Sequence, residues 1–400
     1  MKETKKEKCE KHFNNIITKY DNTINSNFKE KAKKLEKIVK DFIISKELIL
    51  YGGTALDLLL PKNKKIYTNE KLFDYDVYSY NALKDGKELV ELLIKNGFKY
   101  VQLRQAMFTN DTFKIFVENL GACDITMITK VEYGKMKTMA FTRSKMLIMA
   151  PHILIAYMCM ELSQPQLAYY RWSKVYERHI IFNKVYGINT LNNLTLNTIL
   201  PHKNIEKLLI ESLAFFKKNK LPLFGNHALK IIQGKNINKF SIFDNEMSYL
   251  GCMTTDINLV INFYKKKTNI EVEHCKYFIR IKHDNINICD IYDASDICIS
   301  VCKISGYSIV SLFGMKYYLS LQLIDCIYEK VKCDYIKYYI YIINNIINKF
   351  NCKSMCMISL DCYGNGKSNT WEIRKTRWDT GIIVFKPMVK NNKANTVFNI

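Results

Sequence analysis

The chain has 400 residues, 48% of them hydrophobic and 24% charged, which is ample for a sizeable core and too long for one small domain. Sixty Lys and Arg against 38 Asp and Glu leave a formal charge of +22 that favours a polyanionic partner, although the even spread of lysines also fits an AT-rich genome. The charged opening Met1-Lys2-Glu3-Thr4-Lys5-Lys6 and an uncharged apolar run no longer than 146–160 argue against a secretory leader and a spanning helix, so a cytoplasmic protein without a membrane partner is expected.

Residues 11–46 place Phe13, Ile16, Ile17 and Tyr20, then Leu35, Ile38, Val39 and Phe42, at helical intervals. The run Leu48-Ile49-Leu50-Tyr51 then meets Gly52-Gly53-Thr54 and a helix-like stretch at 55–60 that Pro61 ends. Residues 71–79 alternate as a strand, 83–96 form an amphipathic helix closed by Gly97, and strand-like runs follow at 98–107, 112–117 and 122–128. Residues 145–186 read as two long helices broken near Ser163-Gln164-Pro165. Gly187 and Pro201 bracket a polar joining stretch, 335–350 is an Ile- and Tyr-rich helix, and Lys386, Lys390 and Lys393 mark a basic tail. The expected division is a helical segment at 1–47, a domain at 48–143, a helical middle at 144–200, a second domain at 201–385 and the tail 386–400.

Thirteen cysteines are scattered through the chain and are expected to be reduced thiols. Cys298-x3-Cys302 and Cys352-x3-Cys356-x5-Cys362 come nearest to a zinc pattern but lack paired CxxC units and a suitably spaced His.

Phe73-Asp74-Tyr75-Asp76-Val77 carries the chemistry. In an extended strand Asp74 and Asp76 project from one face, where two like charges repel unless a cation lies between them. Hard divalent ions with oxygen ligands, Mg²⁺ or Mn²⁺, suit such a pair, whereas the bland alternative is two solvated carboxylates at a strand edge. Gly52-Gly53-Thr54 stands at a strand-to-helix junction, where glycine lets a phosphate approach the backbone and the helix N-terminus supplies N–H groups. Asp124 in Gly121-Ala122-Cys123-Asp124-Ile125 is a lone charge entering an apolar strand, costly unless paired or bound to metal. Arg171, Lys174 and Arg178 share one helical face, suited to a triphosphate or an RNA backbone, or merely to solvent with Trp172 and Tyr176 turned inward.

Gly52-Gly53, the Asp74/Asp76 pair and the later Asp124 resemble the signature of the polymerase-beta nucleotidyltransferase superfamily. The sequences 51–57, 73–77, 161–165 and 171–176 resemble the poly(A) polymerase catalytic subunits of large cytoplasmic DNA viruses, of poxvirus and giant-virus types. That resemblance implies an α+β protein: a polymerase-beta-like domain with a mixed sheet and helices, a helical middle segment, and a second, degenerate nucleotidyltransferase-like domain. It implies that Asp74, Asp76 and Asp124 are catalytic and hold two Mg²⁺ or Mn²⁺ ions, with nucleotide contacts from Gly52, Gly53, Thr54, Arg171, Lys174 and Arg178. An RNA 3′-OH would attack the ATP α-phosphorus and pyrophosphate would leave. Host cytoplasm, viral factory or virion, and a homodimer or a viral accessory subunit, are further expectations of the resemblance. Transfer to a protein or small-molecule acceptor, and a non-catalytic RNA-binding or processivity subunit, are the alternatives; the charge disfavours the first and the intact glycines and aspartates the second.

The second half repeats the order of the first. Residues 223–230 parallel 50–57, Phe243-Asp244-Asn245-Glu246-Met247 parallels 73–77, and Cys289-Asp290-Ile291 parallels Cys123-Asp124-Ile125. Asn226 for the second glycine and Glu246 for an aspartate predict an inactive copy.

Overall fold

Short β-branched and aromatic runs, joined at tight turns such as Ser144–Lys145, Asp284–Asn285 and Ser305–Gly306, build two sheets, one in each of two units. The computed structural model describes residues 12–13, 15, 30–67, 75–106, 111–118, 120–191, 198–237, 239–242, 246–349, 358–364 and 382–385. Asp74, Asp244, Cys352, Cys356, the tail 386–400 and most of the expected helix before residue 30 lie outside the described residues.

The first unit comprises residues 1–61, 65–149 and 378–400. Its helices are α1 (residues 30–45), α2 (Gly52–Leu59), α3 (Ala82–Lys95) and α4 (Lys130–Met139). Its strands are β1 (Ile49–Tyr51), β2 (Tyr75–Ser79), β3 (Val101–Gln105), β4 (Thr112–Val117), β5 (Leu120–Met127), β6 (Phe141–Arg143) and β7 (Met146–Ile148). The sheet runs β3-β4-β5-β2-β1-β7-β6, with the strand Ile382–Phe385 beyond β3. β2 with β5 and β1 with β7 are the parallel pairs; the others are antiparallel.

Alternation decides the faces. Val77, Leu103, Ile115 and Ile125 are fully buried on the side where α3 packs through Leu89, Val90 and Leu93, each such side chain contributing about 1.5–3 kcal/mol. Asp76, Tyr78, Lys114, Asp124 and Thr126 take the opposite, half-buried face. Two expectations fail here. Residues 145–148 are not helical, because Ser144 and Lys145 turn at φ of 49° and 68° and return the chain as β7 alongside β1, leaving Pro151 to open the next helix. Residues 382–385 join this sheet instead of closing the second unit.

The second unit comprises residues 62–64 and 150–377. Its helices are α5 (Pro151–Ser163), α6 (Pro165–Ala168), α7 (Trp172–Tyr186), α8 (Lys203–Lys218), α9 (Gly225–Ile232), α10 (Ile257–Lys265), α11 (Leu312–Glu329) and α12 (Asp334–Lys349). Its strands are β8 (Leu223–Phe224), β9 (Leu250–Thr254), β10 (Ile270–His274), β11 (Ile279–His283), β12 (Ile286–Asp293), β13 (Ile299–Ile304), β14 (Tyr307–Val310) and β15 (Cys362–Tyr363). The helical middle does not stand apart: α5 packs on α7 and α11.

The order β10-β11-β12-β9-β8-β14-β13 repeats that of the first sheet strand for strand, including its two parallel pairs. Gly52 at φ 69° and Gly225 at φ 74° open equivalent helices. The chain therefore contains the same α+β fold twice. Cys298 and Cys362 are bonded, with Cα atoms 5.4 Å apart, so the expectation of free thiols fails at this pair. Among the described residues no helix is long and apolar enough to cross a membrane.

Candidate active site

Tyr51 pairs with Asp76 across β1 and β2, and Asp76 pairs with Asp124 across the parallel β2 and β5. Register partners in a sheet project to one face about 4.8 Å apart, so the carboxylates of residues 76 and 124 are neighbours although far apart in sequence. Lys114 of β4 is the next register partner, and its ammonium is ion-paired to Asp124 Oδ2. Arg104 of β3 follows, its guanidinium 4.5 Å from the Phe116 ring centre and donating to Gln102 Oε1 at 3.0 and 2.7 Å. One row of the sheet thus reads Tyr51, Asp76, Asp124, Lys114, Arg104.

Gly52 shapes the acidic end. A β-carbon built on it would lie 2.8 Å from Asp76 Cγ, so the carboxylate occupies space that only glycine leaves open, and the φ of 69° also favours glycine. The glycine expected to admit a phosphate thus first admits Asp76. Gly53 and Thr54 lie inside the first turn of α2, with Thr54 fully enclosed. Tyr51 stacks on Tyr78 with centroids 4.1 Å apart and shares a 2.9 Å hydrogen bond with Thr126. Burial, and then the nearby Asp76 charge, hold the Tyr51 phenol protonated well above its ordinary range.

Asp57, on α2, pins the segment leading towards β2. Its Oδ1 accepts from the backbone N–H groups of Ile66 at 2.8 Å and Tyr67 at 3.1 Å, and Lys65 Nζ lies 3.5 Å from its Oδ2. The equivalent Lys230 in the second copy donates to Ser241 Oγ at 2.6 Å and to the Lys239 carbonyl at 3.1 Å. The loop after the helix is tied down from the same position in both copies, by opposite charges.

Two of the three expected carboxylates come together, and Asp74 lies outside the described residues. Among the described residues no cluster of three His, Cys, Asp or Glu side chains forms. Two hard oxygen donors on adjacent strands, one of them seated against Gly52, are nevertheless of the kind that a small divalent cation takes.

Arg171, Lys174 and Arg178 belong to the second unit, gathered around Glu161 of α5. Arg171 Nη1 is 3.5 Å from Glu161 Oε2, and Trp172 Nε1 donates to the Glu161 carbonyl at 2.8 Å. Burial lifts the Glu161 carboxyl above its usual range while the three cations oppose that shift. Three positive charges against one buried acid leave this face strongly basic.

The second copy corrects the expected repeat alignment. Phe224 pairs with Gly251, and Gly251 with Asp290, as Tyr51 pairs with Asp76 and Asp76 with Asp124. Gly251 therefore stands in the place of Asp76, and the exposed Glu246 precedes the strand altogether. A β-carbon at Gly251 would meet the Phe224 carbonyl oxygen at 3.0 Å. Asp290 is held by Arg280, Nε to Oδ1 at 2.8 Å and Nη2 to Oδ2 at 3.1 Å, and by the Ser248 hydroxyl at 2.7 Å. Among the described residues this row of the second copy thus carries one carboxylate, gripped on both oxygens.

Lys114 and Arg104 escaped the sequence reading, and Asp57 and Glu161 entered it only within motifs, without a role. The usable signal was the hairpin: pairing 112–117 against 120–127 sets Lys114 opposite Asp124.

Comparison with known proteins bears on this geometry. Residues 37–168, which contain both Asp76 and Asp124, match the family model described as poly(A) polymerase catalytic subunit. The match begins in α1 and ends in α6. The "Putative poly(A) polymerase catalytic subunit" of Acanthamoeba polyphaga mimivirus is 32% identical over 191 residues, 46% of this chain and 32% of that protein. The protein of the same name from African swine fever virus (isolate Pig/Kenya/KEN-50/1950) is 27% identical over 180 residues, 42% of this chain and 37% of that protein. The chain thus spans about a third of the length of these relatives. The crystal structure of the Megavirus polyadenylate synthase superposes with a TM-score of 0.66 over 94% of this chain and 84% of that one, at 20% identity. The fold is shared along nearly the whole chain, duplicated domain included.

Proposed function

We propose that this protein is a template-independent polynucleotide adenylyltransferase that adds AMP from ATP to RNA 3′ ends. The observation that carries the reading is the Asp76–Asp124 register pair beside Gly52, inside the segment that matches poly(A) polymerase catalytic subunits. Asp76 and Asp124, with Asp74, are the residues that would hold two Mg²⁺ or Mn²⁺ ions. Bound there, the ions would supply positive charge at the transferring phosphoryl group and its leaving pyrophosphate. Gly52 keeps the Asp76 carboxylate in place, and the Tyr51–Thr126 hydrogen bond orders the neighbouring ring against it. Arg171, Lys174 and Arg178, in excess over Glu161, offer charge to a triphosphate. A net charge of +22 suits a long RNA better than a small acceptor, and the same reading fits host cytoplasm, viral factory or virion.

The test is to incubate the purified chain with Mg²⁺ or Mn²⁺, each nucleotide in turn and a labelled RNA primer. Extension with ATP, lost in Asp76→Asn and Asp124→Asn while circular dichroism is unchanged, is the expected result. Loss of about a thousandfold or more corresponds to about 4 kcal/mol of transition-state stabilisation. Full extension by Asp76→Asn, or label transferred only to protein, would remove the assignment.

A further inference from the structure

The base next to the β5 or β12 acid in the sheet row recurs in both copies of the fold. Lys114 and Arg280 occupy equivalent register positions, and each is ion-paired to the equivalent acid, Asp124 or Asp290. The two pairs differ in how they grip. Arg280 takes both oxygens of Asp290 through a planar fork, its side chain is 13% exposed, and Ser248 adds a third bond. Lys114 holds Oδ2 of Asp124 as a point charge on a flexible stem, and its side chain is 33% exposed. The two acids are equally enclosed, Asp124 at 15% and Asp290 at 14%, so the difference lies in the base. An ammonium on a flexible, more exposed stem exchanges more readily than a forked, enclosed guanidinium.

The neighbourhood differs in the same sense. Asp124 has Asp76 as its other register partner, a like charge on the adjacent strand, and Asp290 has Gly251. Beside two carboxylates that repel, the Lys114 ammonium offsets part of the charge.

We propose that Lys114 is the exchangeable counter-ion of Asp124: it neutralises the carboxylate until a divalent cation takes that place, and then swings away. This rests on the nucleotidyltransferase reading, because it takes Asp124 as a cation ligand. Arg280 is the same device made permanent, and it holds both oxygens of Asp290.

The experiment is Mn²⁺ binding to the full chain without nucleotide or RNA, followed by calorimetry and by the electron paramagnetic resonance signal of free Mn²⁺. Thermal melting of each variant confirms folding. Lys114→Met removes the competitor and should tighten Mn²⁺ binding about five- to tenfold, the worth of one screened unit charge. Lys114→Arg imitates the second copy and should weaken it by at least about tenfold. Unchanged or weaker binding by Lys114→Met, with binding still abolished by Asp124→Asn, would overturn the proposal and leave the functional reading standing. Mn²⁺ binding indifferent to both Asp76→Asn and Asp124→Asn would overturn the two together.

Discussion

The carboxylate of Asp76 fills the space in which a side chain on Gly52 would begin. The first helical residue after β1 and the second residue of β2 are therefore a single fitted unit.

Gly52→Ala should consequently displace Asp76 and strain a backbone at φ 69°, costing about 1–3 kcal/mol of stability and most of the RNA extension. The double variant Gly52→Ala/Asp76→Ala removes the carboxylate contacts and leaves only the β-carbon at 3.0 Å, so it should melt higher than Gly52→Ala alone while remaining inactive. Equal melting temperatures for the single and double variants would show that the collision is not the cause.

Asp57→Ala removes a buried acceptor for two backbone N–H groups and a partner for Lys65. A loss of about 2 kcal/mol in urea unfolding is expected, with faster amide exchange at Ile66 and Tyr67. Asp57→Asn keeps an acceptor oxygen and should recover part of both.

The second copy supplies two contrasting variants. Asp290→Asn should leave RNA extension unchanged, because Gly251 and Arg280 already deny that carboxylate a cation. Arg280→Leu should destabilise by roughly 3 kcal/mol, since it strands an enclosed carboxylate, as calorimetric melting would reveal. Residual extension in an Asp74/Asp76 double variant that vanishes on adding Asp290→Asn would contradict this account.

Lys316 on α11 is fully buried, donating to Asn183 Oδ1 at 2.7 Å and lying 2.9 Å from His179 Nε2, with Cys159 nearby. Burial brings its pKa from 10.5 down to about 8. Between those two values the unfolded chain holds a proton that the native chain has lost, so this group adds stability as pH rises through the window. Relative to Lys316→Met, the wild type should gain about 2–3 kcal/mol from pH 7.5 to pH 10.5 in urea titrations. A parallel pH dependence in the two proteins would show that the amine does not titrate there.

How far the sequence reached depends on whether the signal was local. Asp76, Asp124 and the glycine turn were legible because each sits in a short apolar strand or junction whose pattern is complete within a few residues. The duplication was legible through Cys289-Asp290-Ile291, but Phe243-Asp244-Asn245-Glu246 misled, because its local likeness to 73–76 lies before the strand that begins at Leu250. Lys114 could not be seen in linear order, since its meaning comes from the strand opposite. The same holds for Asp57 against residues 66–67, and for Cys298 against Cys362. Met146–Ile148 looked helical because an apolar run has no period of its own, and pairing with β1 decided it.

The strand Ile382–Phe385 lies against β3, with Ile383 opposite Arg104. During synthesis, the outer edge of β3 must then stay unpaired until residues 382–385, far along the sequence, have emerged. Such late closure makes completion of the first sheet slow. A truncation before residue 382 would expose that edge to self-association while every residue named at the candidate site was still present.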